Sequence, residues 1–323
     1  MDEGCFLPVS ALNELRRGAA AEMLRRMEPP FYQPSEVPMP SVPDVPAGKQ
    51  VLDAVITSEE QLAALGGRVE RIYLRTEYFR PERIGRYQEL AKGSGLALAL
   101  PHITRREASD RLMADLKRWR AAGLDRLLAW HLGEILQHNG WIIETGPGVP
   151  VMSHLTRTVL QQGLWQDANA LSAVKGVTFS PELSYNELAA IPFDPTSACI
   201  VYGRIPVMLT EQCPTRESGL CTRERPGAIR RPELLIDRKH ESWPMERHCR
   251  DCYNVFYLNR PIWLADHPRR LAGLPAGRLR LYFLDETPSR VEEILTAYTR
   301  ALAGTPCTAG FPVTTGRYEK GVE

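Results

Sequence analysis

The chain has 323 residues, of which 43% are hydrophobic, and its 40 basic and 39 acidic residues leave a net charge of +1. A chain of this length and composition can form one large domain or two ordinary ones, each with a sizeable core. The charge balance excludes an overall electrostatic field that would draw the protein onto nucleic acid, so any RNA contact has to be local.

The N-terminal residues, MDEGCFLPVS, lack the basic start and the apolar centre of a signal peptide. No apolar run in the chain approaches the roughly 18 residues that a membrane span needs. We therefore expect a cytoplasmic protein without a membrane span, in which the cysteines stay reduced and available to metal.

Residues 1–27 contain an amphipathic segment, SALNELRRGAAAEMLRRM, for which Ser10 is a suitable N-cap. Its apolar side chains fall near one face of the predicted helix: Leu12, Leu15, Ala19, Met23 and Met27. Residues 28–48 are rich in proline, which is excluded from helices and from the interior of sheets. We predict that this second segment is a linker.

Residues 49–303 alternate short apolar runs with amphipathic helical stretches, which is typical of βα units around a parallel sheet. The apolar runs lie at 51–57, 71–76, 96–101, 126–132, 141–145, 174–180, 198–203 and 278–284. The clearest helical stretches are Arg105 to Ala122, Leu155 to Ser172 and Pro288 to Leu302. Eight strands in about 255 residues predict an α/β fold of the (β/α)8 TIM-like barrel type, with an open doubly wound sheet as the alternative. Residues 304–323 form a C-terminal tail.

Four cysteines lie in a long connection after the seventh predicted strand, at 210–262: Cys213, Cys221, Cys249 and Cys252. Two spaced pairs, the second of them a C-x-x-C, are typical of thiolate ligands that meet at one metal. Tetrahedral zinc and an iron-sulfur cluster suit four thiolates equally well. A redox dithiol at Cys249 and Cys252, or disulfides, are the alternatives. We predict a metal-anchored cap over the mouth of the barrel.

Three other cysteines, Cys5, Cys199 and Cys307, have no partner at ligand spacing. Cys199 lies inside a predicted strand, which favours a place in the core over a role as a ligand.

Candidate catalytic residues are few, because the sequence contains no G-x-S-x-G and no H-E-x-x-H motif. His131 and Glu134 lie at the end of the fourth predicted strand and are expected either to act as an acid-base pair at the mouth or to cap the end of that strand. Glu144 and His154 flank the fifth run and are a second, weaker pair of candidates.

Candidate substrate-binding residues lie beside the cysteines in sequence: Tyr202, Arg204 and Arg238. The two arginines can bind a phosphate or another anion through paired hydrogen bonds. A structural salt bridge to Asp237 is the alternative for them.

Several stretches resemble one known family. They are YGRIPVML, the cysteine before Pro214, LLIDRK, the paired cysteines before NVFYLNRPIWL, FSPEL, PSRVEEILTAY and the closing TTGRYEKGVE. They are similar to the C-terminal part of the barrel in peptidase family U thirty-two, the collagenase-like peptidases of unknown catalytic type. The opening SALNELRR resembles the end of an accessory domain between barrels in long members, so the chain resembles the C-terminal half of such a member.

The resemblance implies a [4Fe-4S] cluster held by Cys213, Cys221, Cys249 and Cys252. It also implies a role in the hydroxylation of bases in transfer or ribosomal RNA, because some members take part in such reactions and others hydroxylate the ubiquinone ring. A peptidase of unknown catalytic type and a zinc-stapled binding module are the alternatives. The expected partners are an RNA substrate and a separately encoded family member that supplies an N-terminal barrel and binds residues 1–27. Docking of residues 1–27 onto the chain's own barrel is the alternative.

Overall fold

The computed structural model describes residues 8–27, 48–138, 140–163, 174–219, 221 and 232–321. The chain divides into two compact units, one that contains the N-terminal helix and one that contains all described residues from 48 onward. Cys5 and most of the proline-rich segment 28–48 lie outside the described residues, so the linker stays a prediction.

The larger unit is a mixed α/β structure, as the alternation of apolar runs and helical stretches predicts. The described residues form these strands: β1 (Val51–Ile56), β2 (Arg71–Arg75), β3 (Gly95–Ala99), β4 (Arg126–Ala129), β5 (Ile142–Thr145), β6 (Asp194–Gly203), β7 (Pro206–Thr210), β8 (Glu233–Ile236), β9 (Ser242–His248), β10 (Tyr253–Tyr257), β11 (Ile262–Trp263) and β12 (Ala276–Tyr282).

Eight of these strands make a curled, mostly parallel sheet in the order β11-β6-β12-β1-β2-β3-β4-β5. β1 is paired with β2 on one side and with β12 on the other, so the first and last parallel strands are neighbours. β11 runs antiparallel to β6 at the edge. The residues of β1 after Val51 are all buried, which explains why strands of this sheet read as continuous apolar runs in the sequence.

The predicted run at 174–180 lies between β5 and β6 but pairs with them through single bridges. Gly176 forms a parallel bridge with Glu144 of β5, and Thr178 forms one with Ala198 of β6. The backbone N–H of Thr145 donates to the carbonyl of Gly176 at 3.0 Å, and that of Ala198 donates to the carbonyl of Val177 at 2.7 Å. The segment therefore contacts both edges of the gap between β5 and β6.

Helices connect the parallel strands. The described helices are α1 (Val9–Met27), α2 (Glu59–Leu65), α3 (Ile84–Ala91), α4 (Arg106–Ala121), α5 (Leu132–Gln137), α6 (His154–Gln162), α7 (Tyr185–Ala189), α8 (Pro214–Glu217), α9 (Pro268–Ala272) and α10 (Pro288–Leu302). α10 has the bounds that its sequence predicts, and α4 lies within one residue of them at each end. α6 begins one residue before its predicted start, and residues 164–172 of that prediction lie outside the described part.

Local sequence signals account for the well-predicted helix α10. The hydroxyl of Thr287 accepts a hydrogen bond from the backbone N–H of Arg290, and Pro288 occupies the first turn, where its missing N–H costs nothing. One face of α10 is buried, and the hydroxyl of Tyr298 on that face donates to the carbonyl of Val201 in β6. This contact fixes the helix against the sheet.

The connection between β6 and β11 folds as a second, four-stranded antiparallel sheet in the order β7-β10-β9-β8. We call this sheet the cap. Every residue of β10 is buried, whereas every residue of β8 is exposed. The inserted segment therefore begins at Pro206, four residues before the predicted position 210, and it has a regular structure that the sequence did not indicate.

The smaller unit contains α1, whose apolar residues are exposed and none of whose side chains is buried. Within it, Glu22 forms ion pairs with Arg25 and Arg26, one turn further along the helix. In the part of the chain that the structure describes, no helix has the length and apolar composition that crossing a bilayer requires.

Candidate functional site

One face of the cap lies over the carboxyl ends of the main strands. His248, the last residue of β9, is opposite Tyr253 in the β9–β10 ladder, and Glu246 lies two residues earlier on the same face. Tyr253 and Tyr257 belong to an apolar cluster with Leu284, which follows β12. The cap thus presents both an apolar cluster and two titratable side chains to the main sheet.

Arg75, the last residue of β2, joins the main sheet to the cap. Its guanidinium donates to both carboxylate oxygens of Glu246, at 3.2 and 3.0 Å, and to the hydroxyl of Tyr257 at 3.1 Å. It also donates to Glu77 at 3.0 Å. The side chain of Arg75 is 4% exposed and that of Glu246 is 0% exposed, so this is a buried, two-point ion pair of the kind that arginine forms best.

At this junction, Arg75 and Glu246 each stabilise the charged form of the other. Burial opposes the ionisation of Glu246, but Arg75, His248 and Tyr257 together lower the pKa of its carboxyl group to about 2. Burial likewise opposes the charge of Arg75, but Glu246 and the other acidic neighbours raise its pKa well above the usual value. Both groups are therefore charged at neutral pH.

Glu77, His102 and His248 form a compact group beside this ion pair. Each offers one ligand atom, and the three atoms lie within 4.8 Å of one another. Burial and the charge of Arg75 lower the pKa of His102 well below its usual value, so its ring is neutral. The ring of His102 lies against that of Trp130, with centroids 4.1 Å apart. The group combines a carboxylate with two imidazoles, which are the ligands that transition metals bind most often in catalytic sites.

Two cavities lie on either side of this group. The larger has a volume of about 790 Å³, and His102, Trp130, His131 and Arg317 are among the residues that line it. The smaller has a volume of about 110 Å³ and is lined in part by Glu77 and His248. The group therefore occupies the wall between the two cavities.

Three of the four candidate metal ligands lie at one end of the cap. Cys213 follows β7 and immediately precedes α8, while Cys249 and Cys252 lie in the turn between β9 and β10. The side-chain amide of Asn254 in β10 donates to the carbonyl of Gln212 at 2.8 Å. This bond and the β7–β10 ladder bring Cys213 to the same end of the cap as the turn. Cys221 is exposed, and all four are free thiols.

Of the other cysteines, Cys199 is 1% exposed within β6, as its predicted place in the core requires. Burial raises the pKa of its thiol. Cys307 is half-buried in the C-terminal tail, where its carbonyl accepts a hydrogen bond from the indole of Trp263 at 2.9 Å.

The candidate pair His131 and Glu134 lies at the start of α5. One carboxylate oxygen of Glu134 accepts the backbone N–H of Trp130 at 2.6 Å and that of His131 at 3.4 Å. The other is buried, lies 3.4 Å from Nε2 of His131 and has no hydrogen-bond partner. Burial raises the pKa of Glu134 to about 7, although the two backbone donors oppose that rise. Glu134 caps the helix, and His131 faces the larger cavity.

Glu144 and His154 occupy different settings. The carboxylate of Glu144 accepts hydrogen bonds from Arg71 at 3.0 Å, from Arg126 at 2.6 Å and from the hydroxyl of Tyr73. These contacts hold Glu144 in a buried ion-pair network inside the main sheet. His154 is the first residue of α6 and is half-buried.

The three candidate substrate-binding residues are also separated. The hydroxyl of Tyr202 donates to half-buried Glu286 at 2.9 Å, and the guanidinium of Arg204 donates to the carbonyl of Leu258 at 2.7 Å. Arg238 is exposed in the turn between β8 and β9.

Asp237, the alternative salt-bridge partner of the two arginines, is engaged by other groups. It accepts the indole N–H of Trp243 at 3.1 Å and the backbone N–H of Glu241 at 2.9 Å. These bonds shape the turn between β8 and β9, in which Asp237 acts as a turn-forming residue.

Sequence reasoning missed Arg75, Glu77, His102, Glu246 and His248. The sequence did carry a signal for Arg75, Glu77 and His102. They lie at the carboxyl ends of the second and third strands, where the functional side chains of a parallel sheet are usually found. No comparable signal marked Glu246, since its strand was not predicted.

No family model matches the chain, and no curated protein is significantly similar to it in sequence.

Proposed function

We propose that the main sheet closes into a (β/α)8 barrel with the segment 174–180 as its missing strand. The bridges from this segment to Glu144 of β5 and to Ala198 of β6 support closure, since both are parallel. The pairing of β6 with β12 and of β12 with β1 completes the same circuit. In such a barrel the carboxyl ends of the strands form the mouth, where enzymes of this architecture have their active sites.

We further propose that the cap binds a [4Fe-4S] cluster through Cys213, Cys221, Cys249 and Cys252. The observation that carries this proposal is the strand register of the cap, which brings three of these residues to one end of a small sheet. The donor set fits the cluster, because all four side chains are free thiols and thiolates are its usual ligands. When bound, the cluster would supply one-electron transfer.

The reaction that we propose is the hydroxylation of an RNA base, for which the resemblance to the U thirty-two family supplies the substrate class. The larger cavity, at about 790 Å³, has a volume typical of sites for small organic groups. Arg317, exposed at the cavity wall, is available to a phosphate of the RNA.

The test compares nucleosides from the total RNA of source cells with and without the gene, by mass spectrometry. We expect one hydroxylated nucleoside to disappear in the deletion strain and to return with the wild-type gene, but not with a Cys249→Ala, Cys252→Ala variant. An unchanged nucleoside profile would count against the proposal. Cleavage of a peptide library by the purified protein would then favour the peptidase alternative.

A further inference from the structure

Glu77 carries a buried oxygen atom that the protein leaves without a partner. Its side chain is 8% exposed, and its Oε1 accepts a hydrogen bond from Arg75. Its Oε2 is buried and has no hydrogen-bond partner. Leaving a charged acceptor desolvated in this way is costly, and a cation at that oxygen would remove the cost.

The two imidazoles beside this oxygen are held in orientations that suit metal binding. Nε2 of His248 lies 3.1 Å from Oε2 of Glu246, an arrangement that places the proton on Nε2 and leaves Nδ1 with a free lone pair. Its ring is stacked on that of Tyr253, with centroids 4.2 Å apart. In protein metal sites, a histidine that binds the metal through one ring nitrogen commonly donates its other ring N–H to a carboxylate in this way.

His102 is held by its neighbours as well. Its ring packs against that of Trp130, and its Nδ1 lies 3.5 Å from a guanidinium nitrogen of Arg75. That separation is at the long limit of a hydrogen bond, so Arg75 engages the one available ring-nitrogen lone pair of neutral His102 only weakly.

The charges also favour a cation. Arg75 carries one positive charge against the two negative charges of Glu77 and Glu246, which it contacts directly. The nearby Arg111 is engaged by Asp251 at 2.5 Å. A divalent cation beside Glu77 would be attracted by these two carboxylates in a buried place, where charge interactions are screened weakly.

We propose that Glu77, His102 and His248 form a metal site, separate from the four cysteines, that binds one divalent first-row transition metal such as Zn²⁺ or Fe²⁺. The ligand atoms lie within 4.8 Å of one another, and two histidines with one carboxylate are the ligand set of many catalytic zinc and non-haem iron sites. The three ligands leave further coordination positions open. The site sits in the wall between the two cavities, so a water or a substrate atom can occupy those positions.

The test uses Co²⁺ as the probe, because its spectrum identifies the ligands. Purified full-length protein is treated with a chelator and titrated with Co²⁺ under argon. We expect visible bands typical of nitrogen and oxygen ligands from one cobalt per chain, and these bands persist in the Cys249→Ser, Cys252→Ser double variant. Cobalt bound to cysteines would instead show the intense near-ultraviolet absorbance of thiolate ligands.

Glu77→Gln, His102→Asn and His248→Asn are each expected to weaken this binding at least tenfold. Glu77→Gln has nearly the same shape and keeps an acceptor for Arg75, so it should remain folded. His131→Asn is the matched control, since His131 lines the larger cavity but lies outside the group. It should bind cobalt as the wild type does.

Thermal unfolding gives a second readout. Co²⁺ should raise the Tm of the wild type and of His131→Asn but not that of Glu77→Gln. The proposal is overturned if, in the Cys249→Ser, Cys252→Ser background, Glu77→Gln leaves cobalt binding unchanged, or if that background binds no cobalt. Because this background removes the paired cysteines, neither result depends on whether the cysteines carry a cluster, and failure here leaves the proposed function standing.

Discussion

At the scale of single residues, the junction between the cap and the main sheet depends on Arg75 and Glu246. Both are buried, and each oxygen of the carboxylate accepts a guanidinium N–H. Such a pair offsets its own desolvation only while both partners are present. The sequence did not reveal it, because the two residues lie 171 positions apart and a charged residue in a strand is ordinarily assigned to a solvent-facing position.

Removing one partner of the Arg75–Glu246 ion pair should therefore lower the stability of the fold. We expect Glu246→Gln to lower the free energy of unfolding by about 3–5 kcal/mol, since Arg75 then stays buried with only Glu77 to balance its charge. Urea unfolding followed by circular dichroism and tryptophan fluorescence measures the loss. Glu211→Gln is the control, because Glu211 forms an exposed ion pair with Arg105, and such pairs contribute about 0–1 kcal/mol. Equal losses in the two variants would refute this role.

Glu134 should make stability depend on pH in the opposite sense to an ordinary carboxylate. Its folded pKa of about 7 lies above its reference value of 4.5, so the stability that protonated Glu134 contributes is fully present below pH 4.5 and is lost as pH rises through about 7. Glu134→Gln removes this loss and keeps an acceptor for the backbone. Its stability relative to the wild type should rise on the order of 1–3 kcal/mol between pH 5 and pH 8.

The control for this measurement is Glu187→Gln. Glu187 occupies the same third position of helix α7 and also accepts a backbone N–H, but it is exposed and its pKa is lowered. We expect no rise for it between pH 5 and pH 8. Parallel stability profiles for wild type and Glu134→Gln would show that the carboxyl of Glu134 titrates normally.

At the scale of elements, the sequence predicts those whose signals are local. The N-cap Thr287 and the apolar spacing of α10 lie within that helix, and the apolar run of β1 lies within that strand. The cap carries weaker signals. The apolar side chains of β8, Leu234, Leu235 and Ile236, are exposed, and pairing with β9 across the chain, rather than local sequence, defines that strand.

The cysteines of the cap provide a prediction at this scale. Cys213→Ala, Cys221→Ala, Cys249→Ala and Cys252→Ala should each lose most of the bound iron, because three thiolates leave the site open and labile. Metal analysis of anaerobically purified variants measures it. Cys199→Ala and Cys307→Ala should keep the wild-type iron content. If any of the first four variants kept full iron content, the assignment of that residue would be wrong.

Helix α1 provides a second prediction at the scale of elements. Its exposed apolar side chains include Leu12, Leu15, Met23 and Met27, and an apolar helix surface of this kind favours contact with a partner. From the resemblance to the U thirty-two family, we expect deletion of residues 1–48 to abolish co-purification of a separately encoded protein that bears an N-terminal barrel. The remaining chain should stay folded and keep its metal. Unfolding of the truncated chain, or a full-length protein that runs as a lone monomer in native lysate, would argue against this partner.

At the scale of the whole molecule, the succession of strands and helices follows from the sequence, but the contacts that join distant strands do not. β1 and β12 are neighbours, and Arg280 of β12 reaches Asp53 of β1 through hydrogen bonds of 3.0 and 2.9 Å. Arg280 is 1% exposed. An arginine inside a predicted strand gives no sign that its partner lies 227 positions away.

The same limit applies to the candidate site. The cysteines could be selected from their spacing, because the C-x-x-C pattern is local. Glu77 and His102 each follow a different strand, and His248 comes from the cap, so their proximity depends on the tertiary fold. Local patterns selected the candidate cysteines of the cap, and only the folded chain brought together the group of Glu77, His102 and His248.

Anaerobic purification followed by iron and sulfide analysis tests most directly whether the cap holds an iron-sulfur cluster. We predict a brown protein that contains about four iron and four sulfide ions per chain, as a [4Fe-4S] cluster requires, with broad absorbance in the visible range. A colourless protein that carries zinc and no sulfide would contradict the claim.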